Sequence, residues 1–308
     1  MNQTLPGPLR RLHKIGTAIR SEGATAYVRR ILWLGRYRHF AIRVLRHSHL
    51  KKNTVRIFGT NLTLPPRRRK GIAEELLLYG VHEPAATAQY QRLLSPGMAV
   101  VDVGTNLGYY LAVASARLGS EGRIIGIEAD PELYEIASLN AEQMEANITV
   151  LHAAISDSAG EADFYPSEIS NWGSLRRDSA LQQSAPVRVQ TITLDMLCEQ
   201  QNVNPDAIRM DIEGLEAAAL AGAERVLRQR PIIFMELHLY ILTPEEKEFI
   251  ADRLSAYTRF LVIDRYYDWP FSSAVARRRA RRCLGATELR TFMFQAEAPP
   301  VVSLFALT

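Results

Sequence analysis

The sequence predicts an α/β fold, an open and mostly parallel sheet with helices on both faces, preceded by a basic helical extension. Three observations predict it. From about residue 97, short apolar runs alternate with segments of helical period. The runs are continuously apolar, as strands buried on both faces are. One helix closes at Gly119 and the next opens with Pro131, the expected punctuation of helix ends. Sheets of this kind bind ligands beyond the carboxyl ends of their strands, so function is sought there.

The extension comes first. Residues 1–70 hold 17 of the 37 Lys and Arg and one acid, Glu22, although the whole chain of 308 residues carries a net charge of only +4. In residues 24–45, Val28, Ile31, Leu32, Ile42 and Leu45 form an apolar series, with Arg29, Arg30, Arg36, Arg38 and Arg43 between them and Arg46 directly after. Trp33, Tyr37 and Phe40 add an aromatic stripe, so the segment reads as helical. Two readings stand: contact with an anionic membrane surface through snorkelling arginines, or packing on the acidic remainder of the chain. The expected organisation is an extension over 1–70 and one α/β domain over 71–308.

Within that domain the first strand is "AVVDVG" (99–104), followed by the helix "YYLAVASARLG". "RIIGIEAD" (123–130) is the second strand, leading into the helix "PELYEIASLNAEQM", and "ITVLHAAI" (148–155) is the third. A polar insertion follows. "AIRMDI" and "PIIFMELH" are strands four and five, separated by a helix over 214–228. "RFLVID" (259–264) and "TFMFQA" (291–296) are expected to close the sheet.

Composition narrows the class. An apolar fraction of 47% and a charged fraction of 23% are those of an ordinary soluble globular protein. Cys198 and Cys283 form no disulfide framework or metal knuckle and read as reduced thiols of a cytosolic protein. No run reaches the ~18 apolar residues of a membrane span, and no signal peptide opens the chain. The expected location is cytoplasmic, peripheral at the inner membrane face if the arm binds lipid.

At the first strand end, "DVGTNLG" supplies Asp102, Gly104, Asn106 and Gly108. Glycine permits a tight turn, and the helix that follows presents free N–H groups. The dinucleotide fingerprint needs a glycine where Asn106 stands, so the loop suits a phosphate-free nucleoside instead. Glu128 ends the second strand 24 residues after Gly104, where a carboxylate accepts hydrogen bonds from ribose hydroxyls. Together these features signal S-adenosylmethionine.

The motifs "VVDVGTNLGYY", "IIGIEADPELYEIASLN", "VLHAAISDSAG", "SNWGSL", "TITLDML", "RMDIEGLEAAALAGAERVL" and "PIIFMELH" resemble, in order and spacing, the FkbM family of S-adenosylmethionine-dependent methyltransferases. The resemblance covers roughly residues 79–240, with "YGVHEP" as its opening segment. It implies a class I methyltransferase sheet of seven strands, the last antiparallel. It further implies that Asp102, Gly104, Asn106 and Gly108 line the methionine end of the cofactor and that Glu128 holds the ribose. Ala154 and Ile155 would flank the adenine, with Glu83 and either Asn171 or Ser174 near cofactor or acceptor.

In the same sheet order, Asp211, Glu213, Glu236 and His238 gather beside the transferred methyl group, and the i, i+2 spacing of Asp211 with Glu213 and of Glu236 with His238 places each pair on one strand face. A hydroxyl is a poor nucleophile until a base draws off its proton, a role open to His238 or to a crowded carboxylate. The alternative is a Mg²⁺ or Mn²⁺ ion held by Asp211, Glu236 and His238. Glu213 and Glu216 read as acids serving the start of the following helix.

The leading expectation is therefore O-methylation of a sugar, glycolipid or lipid-linked hydroxyl. A nucleic-acid methyltransferase is the alternative, motivated by "PPRRRK" (65–70) and "RRRARR" (277–282). Against it stand the acidic body and "DIEG" in place of the Asn/Asp-Pro-Pro-aromatic motif common in base methylases. A non-catalytic cofactor-binding module is the third class.

Overall fold

A computed structural model describes residues 53–66, 71–167, 173–176, 185–268 and 281–308. The expected amphipathic helix over 24–45 and Asn171 lie outside the described residues, as does most of both arginine runs. In chain order the described elements begin with a hairpin, β1 (Thr54–Ile57) and β2 (Thr60–Thr63), then helices α1 (Ile72–Tyr79) and α2 (Pro84–Leu93). Next come β3 (Ala99–Val103), α3 (Tyr109–Leu118), β4 (Arg123–Glu128), α4 (Pro131–Ala141), β5 (Asn147–His152), β6 (Ala154–Ile155), β7 (Gly160–Phe164) and β8 (Val187–Ile192). The remainder is α5 (Leu194–Gln200), β9 (Ala207–Met210), α6 (Glu216–Ala221), α7 (Glu224–Arg228), β10 (Ile232–Leu237), α8 (Pro244–Arg253), β11 (Arg259–Asp264), β12 (Arg281–Leu284), α9 (Ala286–Met293) and β13 (Val302–Leu307).

The main sheet runs β12-β11-β13-β10-β9-β3-β4-β5. Strands β5, β4, β3, β9 and β10 are mutually parallel, and β13 inserts antiparallel between β10 and β11. This is the order of a class I methyltransferase sheet, with β12 added antiparallel to β11 as an eighth strand. Alternate strand residues feed two cores. Val101, Val103, Ile208 and Met210 pack toward α5–α9, while Val100, Ala207 and Phe234 pack toward α1–α3 and the hairpin. Asp102, Arg209 and Glu236 share that second face, which puts charged side chains in an otherwise apolar layer.

Several expectations are corrected. Residues 291–296 form no strand. Leu289, Phe292 and Met293 are buried at helical spacing in α9, which opens with Glu288 accepting from the Gly285 N–H at 2.7 Å, and the closing strand is β13. The run 148–155 breaks at Ala153, and Ala154–Ile155 pair with β8 in a separate three-stranded sheet, β6-β8-β7. The helix expected over 214–228 is two, divided near Gly222, whose added Cβ would collide with Ser156 and Thr193. Residues 54–63 of the expected helical extension form the β1–β2 hairpin, whose Ile57 and Leu62 enter the core of the α/β body. Among the described residues, no helix is long and apolar enough to cross a membrane.

Candidate active site

The loop after β3 is shaped by three residues of positive φ, Gly104 (76°), Asn106 (54°) and Gly108 (90°). Gly104 and Thr105 both donate their N–H to the Ile127 carbonyl, at 2.9 and 3.0 Å, which ties the loop to the neighbouring strand. A Cβ at Gly104 would strike the backbone carbonyl of Asp211, so this position is glycine for space as well as for φ. Glu128 closes the turn from β4. Its Oε2 accepts from the Asn106 N–H at 2.6 Å and its Oε1 from the Asp130 N–H at 2.8 Å. Burial nevertheless pushes its carboxyl up to about 7, against the pull of those N–H groups.

Beyond these strand ends lies a cleft of about 600 Å³, counted with its open mouth. Of the residues singled out in the sequence, Gly104, Asn106, Glu128, Ala154, Ile155, Ser174 and Asp211 line it. Glu83, Asp102, Gly108, Glu236 and His238 do not. Asp102 and Glu83 are buried beneath the loop layer, and Gly108 caps α3. Phe164 and Leu175, from the insertion read only as polar, supply an apolar wall.

Arg209 organises the layer below. It is side by side with Asp102 in the β3–β9 register, and its Nη1 donates to Asp102 Oδ1 (3.3 Å) and the Gly104 carbonyl (2.8 Å). Its Nη2 donates to Asp211 Oδ2 at 2.8 Å, and the guanidinium lies 4.4 Å from the Tyr110 ring centroid. Burial would lower the Arg209 pKa, but Asp102 and Asp211 outweigh it and hold the guanidinium charged. Asp211 Oδ1 is buried with no hydrogen-bond partner among the described residues.

A second network lies beside it. His82 Nδ1 meets Glu75 Oε2 at 2.7 Å, and His82 Nε2 meets Glu83 Oε1 at 3.0 Å. Arg265 Nε bridges Glu83 Oε1 (2.8 Å) and Glu236 Oε1 (3.0 Å), and the Tyr110 hydroxyl donates to Glu83 Oε2 at 2.6 Å. Burial lowers the His82 pKa, yet Glu83 and Glu75 raise it overall to about 10. Burial, Glu83 and Asp211 push Glu236 up to about 8.

His238 and Glu236 do not act as the pair their spacing suggested. His238 stands past the end of β10, with Nε2 3.0 Å from Glu213 Oε2 and Nδ1 3.0 Å from Glu216 Oε1. Burial disfavours its charge, but the two carboxylates outweigh burial and hold it as an imidazolium. A doubly engaged imidazolium has no lone pair to offer as a base. Glu213 and Glu216 therefore do more than serve the helix, although Glu216 also accepts from the Gly214 N–H at 3.1 Å. Nor do Asp211 and Glu213 share a strand face, because β9 ends at Met210 and Glu213 turns at φ 50°.

Residues 102–260 match the Methyltransferase FkbM domain. Hexuronic acid methyltransferase AglP of Haloferax volcanii is 25% identical over 138 residues, covering 44% of this chain and 54% of AglP. 2-O-methyltransferase NoeI of Sinorhizobium fredii is 25% identical over 177 residues, covering 51% of this chain and 72% of NoeI. The chain thus spans about half the length of the first relative. Among solved structures, Aeropyrum pernix fibrillarin in complex with natively bound S-adenosyl-L-methionine is 12% identical with a TM-score of 0.39, covering 78% of this chain and 76% of that one.

Proposed function

The chain belongs to the FkbM methyltransferase family, and from that premise we propose that this S-adenosylmethionine-dependent methyltransferase acts on a hydroxyl of a sugar or sugar-bearing lipid. The cleft residues fit the cofactor. The Glu128 carboxylate faces the cleft with lone pairs to spare for ribose hydroxyls, Gly104 admits close backbone approach, and Ala154, Ile155 and Phe164 offer an apolar slot for a flat base. When bound, S-adenosylmethionine supplies a methyl group on a positively charged sulfonium. Ionised Glu128 accepts from hydroxyls and its neutral form does so poorly. Cofactor affinity is therefore expected to weaken as pH falls below about 7, by up to ~10-fold per unit, in calorimetric titrations from pH 8 to 5.5.

Asp211 carries the acceptor half of the proposal. It lines the cleft, its Oδ2 is anchored by Arg209, and its Oδ1 is buried without a partner. An acceptor hydroxyl placed there would satisfy that oxygen and surrender its proton as the new bond forms, a contribution of roughly 10²–10⁴-fold. Glu236, next along the same face, and His238 do not line the cleft. The relative named for a hexuronic acid and the one named a 2-O-methyltransferase favour a saccharide hydroxyl as acceptor, with a uronic acid as the first to try. Asp211→Asn is expected to lower kcat by about 10²–10⁴-fold and leave cofactor affinity within a few-fold. Full activity in this variant would remove Asp211 from the reaction.

A second reading concerns a divalent cation. Asp211, Glu213 and His238 bring ligand atoms within 4.8 Å of one another, with Glu213 where the sequence had suggested Glu236. Glu216 on Nδ1 would orient the ring, as carboxylates behind metal-ligating histidines do. The same assay in chelator separates the readings: activity abolished by EDTA and restored by Mn²⁺ supports the ion, and unchanged activity supports direct contact. The basic arm over 1–52 supports contact with an anionic lipid surface that would hold a lipid-linked acceptor nearby.

A further inference from the structure

The loop after β3 is gripped from two sides, and only one grip belongs to the strand ends already described. From within the sheet, Glu128 holds the Asn106 N–H. From the outer side the grip is Asn140, near the end of α4, whose side chain is wholly buried. Its Nδ2 donates to the Leu107 carbonyl at 2.7 Å and to the Thr63 carbonyl at 3.0 Å, and its Oδ1 accepts from the Thr63 N–H at 2.6 Å. Both amide hydrogens point at carbonyls and the oxygen faces an N–H, so the carboxamide fits in one orientation only. Toward β2 it acts as one more residue of an antiparallel ladder, exchanging both bonds with Thr63.

A side chain of this kind does two things at once: it fixes the loop at Leu107 and it requires the hairpin to be docked. Packing repeats the link. Leu62 and Leu64 are buried in the same core cluster as Leu107 and Tyr109, and the Phe58 ring lies 6.2 Å from that of Tyr109. The hairpin lies outside residues 102–260, the segment that matches the family domain. It nevertheless touches the cofactor loop through one shared amide.

We propose that Asn140 is a positioning residue through which the β1–β2 hairpin holds the cofactor loop in its binding conformation. The inference rests on the methyltransferase reading of the site only for its ligand; the coupling of hairpin to loop is independent of it. In physical terms, freeing the Leu107 carbonyl and the Thr63 N–H leaves buried polar groups without partners, and the loop shifts to find others.

The test uses the full chain with two variants. Asn140→Ala removes all three bonds, whereas Thr63→Pro replaces the hairpin N–H that Asn140 accepts with a ring carbon, so the hairpin is forced off Asn140 while the side chain that reaches Leu107 is kept. Hydrogen exchange of the amides of residues 105–108 and calorimetric affinity for S-adenosylhomocysteine are measured well below each variant's melting temperature. Thr63→Pro is expected to speed loop exchange and weaken affinity at least 10-fold, although residue 63 does not line the cleft, and Asn140→Ala is expected to do more. Unchanged loop exchange and affinity in a folded Thr63→Pro would overturn the coupling, as would a melting shift alone in both variants. Should one variant fail to fold, the other decides. Absence of any S-adenosylhomocysteine binding by the wild type would instead count against the functional reading, while loop exchange would still judge the coupling.

Discussion

Replacing Arg209 with methionine is expected to cost about 3–5 kcal/mol of stability, the usual loss when one partner of a buried ion pair is removed, and to abolish cofactor binding. Methionine matches the length and apolar stem of arginine but leaves Asp102 and Asp211 facing each other across the β3–β9 register without the charge that separates them. The Gly104 carbonyl also loses its donor, so the loop after β3 loses its anchor on this side. Thermal unfolding is expected to shift by about 5–8 °C for a chain of this size. Arg209→Lys should recover only part of the loss, since one ammonium cannot reproduce a planar fork that reaches Asp102, Gly104 and Asp211 together. A methionine variant of native stability would show that the ion cluster is energetically idle.

The second large effect is expected at Gly104. An alanine there must adopt φ near 76°, which costs roughly 1–2 kcal/mol by itself. Its Cβ would also lie 3.0 Å from the Asp211 carbonyl carbon and closer still to the oxygen, with Ile212 Cγ2 at 3.3 Å. Backbone on both sides of the cleft must then move, so Gly104→Ala should lose stability and cofactor affinity together. Gly80 supplies the control. Its φ of 71° is also a left-handed conformation that alanine adopts at a cost, but no atom lies within 4 Å of an added Cβ. Gly80→Ala should therefore show the conformational cost alone and bind cofactor normally. Equal behaviour of the two variants in paired melting and binding measurements would rule out the steric account.

The parts of this site readable from the chain are those built by neighbours in sequence. Asp102, Gly104, Asn106 and Glu128 stand at strand-to-helix turns, where residue type and backbone geometry answer to each other within a few positions. Cleft contacts at Ala154, Ile155 and Ser174 followed from motif order. What escaped depends on register. Arg209 looks out of place in an apolar strand, yet its partner Asp102 is 107 residues away and meets it only because β3 and β9 align. His238 finds Glu213 and Glu216 rather than Glu236 because β10 ends at Leu237, which frees the histidine from strand alternation. The Phe164 and Leu175 wall was hidden because β7 and β8 are half-exposed strands whose outward residues are polar. Residues 291–296 misled for the opposite reason. Their apolar spacing fits a strand, whereas Leu289 and Phe292 with Met293 make the stripe of a short amphipathic helix.

Arg209 and Asn140 share a physical theme. Each is a buried side chain that donates one hydrogen bond to a backbone carbonyl of the loop after β3, at Gly104 and Leu107 respectively. The loop is thereby set before any ligand arrives, and such preorganisation lowers the cost of ordering it on binding.

The most direct measurement of the central claim is calorimetric titration of S-adenosylmethionine into the wild-type chain and into Glu128→Gln at pH 8. The expected result is one-to-one binding by the wild type and at least ~10-fold weaker binding by the variant, because a neutral amide offers one acceptor oxygen where the carboxylate offers two. Equal affinity of the two proteins, or no binding by a folded wild type, would contradict it.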